Sequence, residues 1–200
     1  MSGGRGIRTA LLVAGALVLS GVAVATAPDN DEIIGAIPTT AAIGAEAVTR
    51  QFSATVNSVS LADSLDISYG GGDFRVVNTE LPTDGVWVVL DLSITTRYRA
   101  ELLQYSELVI DGVSYRASNL LPSPVVSESR FGPGIAVRGP FVFEIPRDIA
   151  RSDAAANAVI VLQAELAPQV EGVTHHPVDL TALDHESTVV LEGARIVGAS

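Results

Sequence analysis

The chain has 200 residues with no cysteine, and its basic side chains are twelve arginines against twenty-three acids, a formal charge of −11 at pH 7. Without cysteine there is no disulfide staple and no thiolate metal site, and so acidic a chain repels phosphate backbones, which excludes nucleic acid as a partner. Aromatic residues make up only 5%, so the core must come from Val, Leu and Ile, in a length that suits one ordinary domain with tails.

Residues 1–8 form a short N-terminus carrying Arg5 and Arg8. Thr9 to Ala27 (TALLVAGALVLSGVAVATA) is an uncharged apolar run, followed by Asp29, Asp31 and Glu32. As a helix it would extend roughly 28 Å, close to the hydrocarbon thickness of a bilayer. Arginines before it and acids after it predict a cytoplasmic N-terminus, with everything beyond Pro28 outside the membrane. Two fates are open. Run length favours a retained single-pass anchor, whereas Ala23 and Ala25 offer the small-residue exit of a secretory signal cut before Thr26. Ten arginines and all twenty-three acids lie beyond the run, so the external part carries about −13. These acids are scattered along the chain, as suits solubility outside the cell.

Residues 28–46 (PDNDEIIGAIPTTAAIGAE) mix Pro, Gly, Thr and Ala without a sustained period and read as a linker, with Ile33, Ile34 and Ile37 able to pack on a domain edge. The external domain is expected over residues 47–200, where the dominant period is two. Phe52, Ala54 and Val56 alternate with Ser53, Thr55 and Asn57. The clearest run is Val86–Thr96. It places Val86, Val88, Leu90, Leu92 and Ile94 on one face, with Trp87, Val89, Asp91, Ser93 and Thr95 on the other, and predicts a central strand. Leu108–Ile110 and Val113–Tyr115 flank Asp111-Gly112, the two-residue signal of a tight hairpin. Val137 with Phe141–Ile145, Ala158–Leu166 and Ser187–Ile196 supply further strands, and Val178–Leu180 a short one. Turn signals stand at Gly70–Gly72, Pro82–Gly85, Pro122–Pro124, Gly132–Gly134 and Glu171-Gly172. Only Ser152–Ala158 reads as briefly helical. This pattern predicts an all-β fold, an antiparallel β-sandwich behind a single N-terminal transmembrane or signal helix.

Several segments add a family likeness. Asn78–Ile94 (NTELPTDGVWVVLDLSI), the Ile110–Tyr115 hairpin (IDGVSY), the turn Gly132-Pro133-Gly134 and the strand Gly139–Pro146 (GPFVFEIP) occur in that order. Together they resemble a family of bacterial extracellular immunoglobulin-like domains of unknown function, in the structural group of a mycobacterial secreted immunoprotective antigen. The likeness spans about Val48 to Leu166. It implies an immunoglobulin-like sandwich on a secreted, lipid-anchored or membrane-tethered protein of Gram-positive bacteria. An all-arginine basic set, usual for high-GC genomes, fits actinobacteria. The chain departs from the family in lacking the lipid-modified cysteine and in extending beyond Leu166. No catalytic residues carry over, because one such fold hosts many functions.

Histidines occur only at 175, 176 and 185, near Asp179, Asp184 and Glu186. Imidazoles beside carboxylates are a metal-binding set, but neighbouring His175 and His176 in a strand point to opposite faces, and a solvated polar loop is the default. There is no G-x-S-x-G elbow for a serine nucleophile. Asp63, Asp66 and Asp73 around Gly70–Gly72 are spaced too widely for a calcium loop, and no Gly-Lys-Ser/Thr follows for a phosphate loop. No cofactor and no catalysis are expected. Arg97, Tyr98 and Arg99 leave the central strand at a polar end, followed by Tyr105. The connection Ser123–Phe131 (SPVVSESRF) brings Arg130 and Phe131. Arg and aromatic side chains on loops between strands are recognition material, so Arg97, Tyr98, Arg99, Tyr105, Arg130 and Phe131 are the candidate binding residues. The expected function is a membrane-tethered, non-catalytic module that binds a protein or envelope component. The alternatives are an accessory subunit of a membrane transport or envelope-assembly complex, and a metal-binding enzyme.

Overall fold

The computed structural model describes residues 37–69, 77–98, 103, 105–118, 132–164 and 172–197. The expected N-terminal helix, the Gly70–Gly72 and Pro122–Pro124 turns and the Ser123–Phe131 connection lie outside the described residues. Among the described residues no helix is long and apolar enough to cross a membrane.

Two sheets form a β-sandwich. The larger is built around β4 (Val77–Thr96), which pairs antiparallel with β3 (Phe52–Tyr69) and β7 (Ala136–Ile145). β2 (Glu46–Val48) and β10 (His185–Leu191) pair with β3, and β11 (Arg195–Ile196) pairs with β7. The smaller sheet runs in the order β1 (Thr39–Thr40), β9 (Val173–Val178), β8 (Ala158–Gln163), β5 (Glu107–Ile110), β6 (Val113–Arg116). The alternation in Val86–Thr96 has the expected consequence. Val86, Val88, Leu90, Leu92 and Ile94 all enter the core between the sheets, against Phe141, Phe143 and Ile145 from β7 and Leu108, Ile110, Ile160 and Leu162 from the smaller sheet. The β5–β6 hairpin turns on Asp111 (φ 50°) and Gly112 (φ 74°), the pair of left-handed residues whose twist matches the strands they join.

Five expectations change. The sandwich is not wholly antiparallel, because β1 runs parallel to β9 and β10 parallel to β3. Both partners come from far along the chain, where no hairpin imposes direction. The end of the expected linker joins the fold through Thr39 and Thr40, and the Ala41 amide donates to the His175 carbonyl at 3.0 Å. Val178 closes β9, and Leu180–Ala182 is a 3₁₀ turn with the Asp179 carboxylate accepting from the Thr181 amide. The run Ser187–Ile196 splits into β10 and β11 across Glu192-Gly193-Ala194. Pro82–Gly85 is an irregularity inside β4 and no chain reversal. Beyond β7, Arg147–Ala150 forms one helical turn (α1) and Asp153–Asn157 a 3₁₀ turn.

The larger sheet also folds back on itself. Arg138 on β7 lies opposite Ser93, and Ser93 opposite Thr55. Twelve residues further along β3, Ile67 pairs with Leu191, yet Arg195, only four residues after Leu191, pairs with Arg138. A straight strand would carry Ile67 about 40 Å beyond Thr55, and four residues reach at most about 14 Å. The far half of the β3–β4 ribbon therefore doubles back over the outer face of its own sheet. Register shifts at Val56/Ser58 and Ala62/Ser64 mark the places where it bends, as bulges do. At the second shift β4 bows out between Pro82 and Trp87. There a Cβ on Gly85 would stand 2.4 Å from the Ile145 carbonyl oxygen, so only glycine fits. Under the returned ribbon Ala62, Leu65, Ile67, Trp87, Val89, Val142 and Leu191 form a second core. Trp87 is only 2% exposed and its indole N–H donates to the Leu81 carbonyl at 3.2 Å. Each large side chain buried there stabilises the fold-back by roughly 1.5–3 kcal/mol.

Candidate functional site

At the end of β4 the chain is pinned on both sides. The Arg97 amide donates to the Gln51 carbonyl at 2.9 Å, and the Gly134 amide donates to the Thr96 carbonyl at 2.8 Å. Thr49 braces the first of these turns: its hydroxyl donates to the Phe52 carbonyl at 2.7 Å and accepts from the Phe52 amide at 3.0 Å. Gly134, at φ 77°, closes the second. On this fixed backbone Arg97 and Tyr98 project into solvent, Tyr98 being 74% exposed. The Gly132-Pro133-Gly134 turn directly follows Arg130 and Phe131 in the chain. Those two residues and Arg99 lie outside the described residues. Tyr105 lies in the turn before β5, half-buried, its carbonyl accepting from Gln163 Nε2 at 2.9 Å.

The histidines disperse. His176 faces the interior from β9, fully buried, with Nε2 3.2 Å from the Thr174 hydroxyl. Burial, reinforced by His175, pushes it down to about 4. His175 takes the opposite face, half-buried, and burial lowers it too. His185 starts β10 in the other sheet, its Nε2 3.1 Å from Asp63 Oδ1, and Arg147 of α1 pairs with the same oxygen at 2.7 Å. Chiefly through Arg147, the Asp63 carboxyl is held below the ordinary carboxylate value. Asp63 thus ties the β3 bend to α1 and β10, a structural role. No group of three His, Asp or Glu side chains among the described residues is arranged to hold a metal ion.

Sequence reasoning passed over a cleft of about 290 Å³ on the outer face of the larger sheet, between the floor strands β3, β4 and β7 and the rim Leu191–Arg195. On its floor Arg138 clasps Asp91: Nε lies 2.9 and 2.8 Å from the two carboxylate oxygens, and Nη2 closes on Oδ2. The Asp91 hydrogen bonds and charge, with Glu192 adding to them, raise the Arg138 pKa. On the rim Arg195 pairs with Glu192 at 2.6 Å. One signal was legible: Asp91 is the single acid in the alternating run Val86–Thr96. Its partner was not, because register across strands is set by the fold.

No family model matches the chain, and no curated protein does. Among solved structures, the chain is similar to an uncharacterised β-sandwich protein from Clostridium difficile, at 14% identity and a TM-score of 0.45, over 70% of this chain and 94% of that one. It is similar to the YjhA protein of Bacillus subtilis at 14% identity and TM-score 0.46, over 67% and 97% respectively. A candidate lipoprotein from Staphylococcus aureus gives 12% identity and TM-score 0.45, over 74% and 97%. No function follows from likenesses at this level.

Proposed function

We propose that the chain is a non-catalytic, immunoglobulin-like extracellular module, tethered or released through Thr9–Ala27. In this reading it binds a protein or cell-envelope component with the surface around Arg97 and Tyr98. The observation that carries this reading is the exposed Arg97–Tyr98 pair on a backbone pinned from both sides. Tyr and Arg dominate binding hot spots, and an aromatic side chain on a fixed backbone loses little conformational entropy when it docks. The apolar run Thr9–Ala27 would confine that surface to the membrane exterior, raising the effective concentration of partners there.

The test is capture from native membranes with full-length, C-terminally tagged protein, comparing the natural chain with Arg97→Ala/Tyr98→Ala. Loss of a hot-spot pair weakens capture by about thirtyfold; unchanged capture removes the assignment. The intact mass of the bait distinguishes an anchored protein from one trimmed near Ala25. An uncut bait holding a stoichiometric membrane complex would instead make the chain an accessory subunit, with Thr9–Ala27 as a packing surface.

A further inference from the structure

The cleft between the fold-back and the sheet has features that the strand-end surface lacks. Its size, about 290 Å³, is at the lower limit of pockets that take a small molecule. It suits one small ligand or one unit of a longer chain. β3 turns Ser58 and Ser60 into it, and neither hydroxyl bonds to another described side chain or backbone group. Arg138 uses its Nε and Nη2 on Asp91, which fixes the plane of the guanidinium and leaves Nη1 not engaged by Asp91. Pro140 and Val189 supply apolar wall.

Charge and backbone pairing narrow the ligand. Asp91 balances Arg138 and Glu192 balances Arg195, so neither a phosphate nor a carboxylate meets an uncompensated cation, and a metal ion or ammonium meets no spare acid. The backbone offers little to an extended peptide. The central floor strand β4 is paired on both sides, β11 occupies the β7 edge at Val137 and Arg138, Pro140 has no N–H to donate, and the β3 edge is open only over the short stretch 57–60 between its β2 and β10 partners. What remains is a set of side-chain hydroxyls and a guanidinium held in place by its carboxylate, beside aliphatic surface. These groups match a ligand that is neutral, rich in hydroxyls and apolar on one face.

We infer that this cleft is a carbohydrate-binding subsite, taking one neutral sugar unit with Ser58, Ser60 and Arg138 as its hydrogen-bonding residues. It is separate from the Arg97–Tyr98 surface and does not depend on it.

The experiment is saturation-transfer NMR on the full-length chain in a non-saccharide detergent, with glucose, galactose, N-acetylglucosamine and cellobiose as probes. Inorganic phosphate and acetate serve as charge controls. At least one sugar should bind at about millimolar affinity, as expected of a small ligand in an open cleft. Ser58→Ala/Ser60→Ala should weaken it about tenfold, a loss of one to two hydrogen bonds. Arg138→Lys, which keeps the charge and loses the fork, should weaken it several-fold, while Arg97→Ala/Tyr98→Ala should leave it unchanged. Trp87 fluorescence reports that each variant is folded. The inference is overturned if none of the four sugars binds, if binding survives the serine and arginine variants, or if phosphate or acetate binds in preference. Equal loss in the Arg97/Tyr98 variant would overturn it as well.

Discussion

Mild acid should destabilise this domain through His176. In the folded chain the imidazole sits fully buried beside Thr174 and titrates at about 4, against 6.5 for a free histidine. Its folded pKa lies below its unfolded one, so the unfolded chain takes up the proton first. Stability from keeping the ring neutral is complete above the unfolded value and is lost as pH falls through 6.5 towards 4. Between about pH 7.5 and pH 5 the linkage relation gives a loss of about 2 kcal/mol, and the full separation of the two values is worth about 3 kcal/mol. For a domain of typical stability, that is a large fraction of the total. His175 is lowered by burial in the same direction and adds to the loss. The carboxylates Asp63 and Asp179, both lowered, contribute below this window. The assay is urea unfolding followed by Trp87, the single tryptophan and a buried one, at both pH values. His176→Gln keeps an amide for Thr174 but cannot titrate. The natural chain should lose about 2 kcal/mol more than this variant between the two pH values. Equal losses in the two proteins would refute the placement of His176 as a neutral core residue.

Two further perturbations test the fold-back and the cleft floor. Gly85→Ala drives a methyl group to 2.4 Å from the Ile145 carbonyl, and the backbone shift it forces should destabilise by roughly 1–3 kcal/mol. Thermal unfolding read by Trp87 fluorescence would show it as a lowered Tm, and an unchanged Tm would mean that β4 relaxes there freely. A double-mutant cycle on Asp91→Ala and Arg138→Ala should give a coupling of about 0.5–1 kcal/mol that shrinks with added salt, because the pair is bidentate but partly exposed. Zero coupling at low salt would mean that the clasp does not persist in solution.

Much of the sandwich could be read from local pattern. The Val86–Thr96 alternation identified a central strand and its core face because a β-strand exposes its two faces with period two, whatever it pairs with. Asp111-Gly112 identified its hairpin because the left-handed backbone of that turn admits few residue pairs. For Arg97 and Tyr98, leaving a core strand at a polar end was enough to indicate exposure.

Contacts between distant segments were beyond such reading. Trp87 and Val89 lie on the face that alternation assigns away from the core, and they are buried because β3 bends twice and β10 returns from more than a hundred residues away to lie parallel to it. Pro82–Gly85 has turn composition, yet it serves as the bowed segment that lets the ribbon fold over. The cleft depends on the same event. Ser58, Asp91, Arg138 and Glu192 stand on four separate segments, and only their register brings them together. Sequence by itself determined what is periodic or stereochemically restricted within a few residues. Tertiary structure decided which strands pair in parallel, which second face is covered and where a pocket opens, because those outcomes come from burying apolar surface between segments that carry no local record of one another.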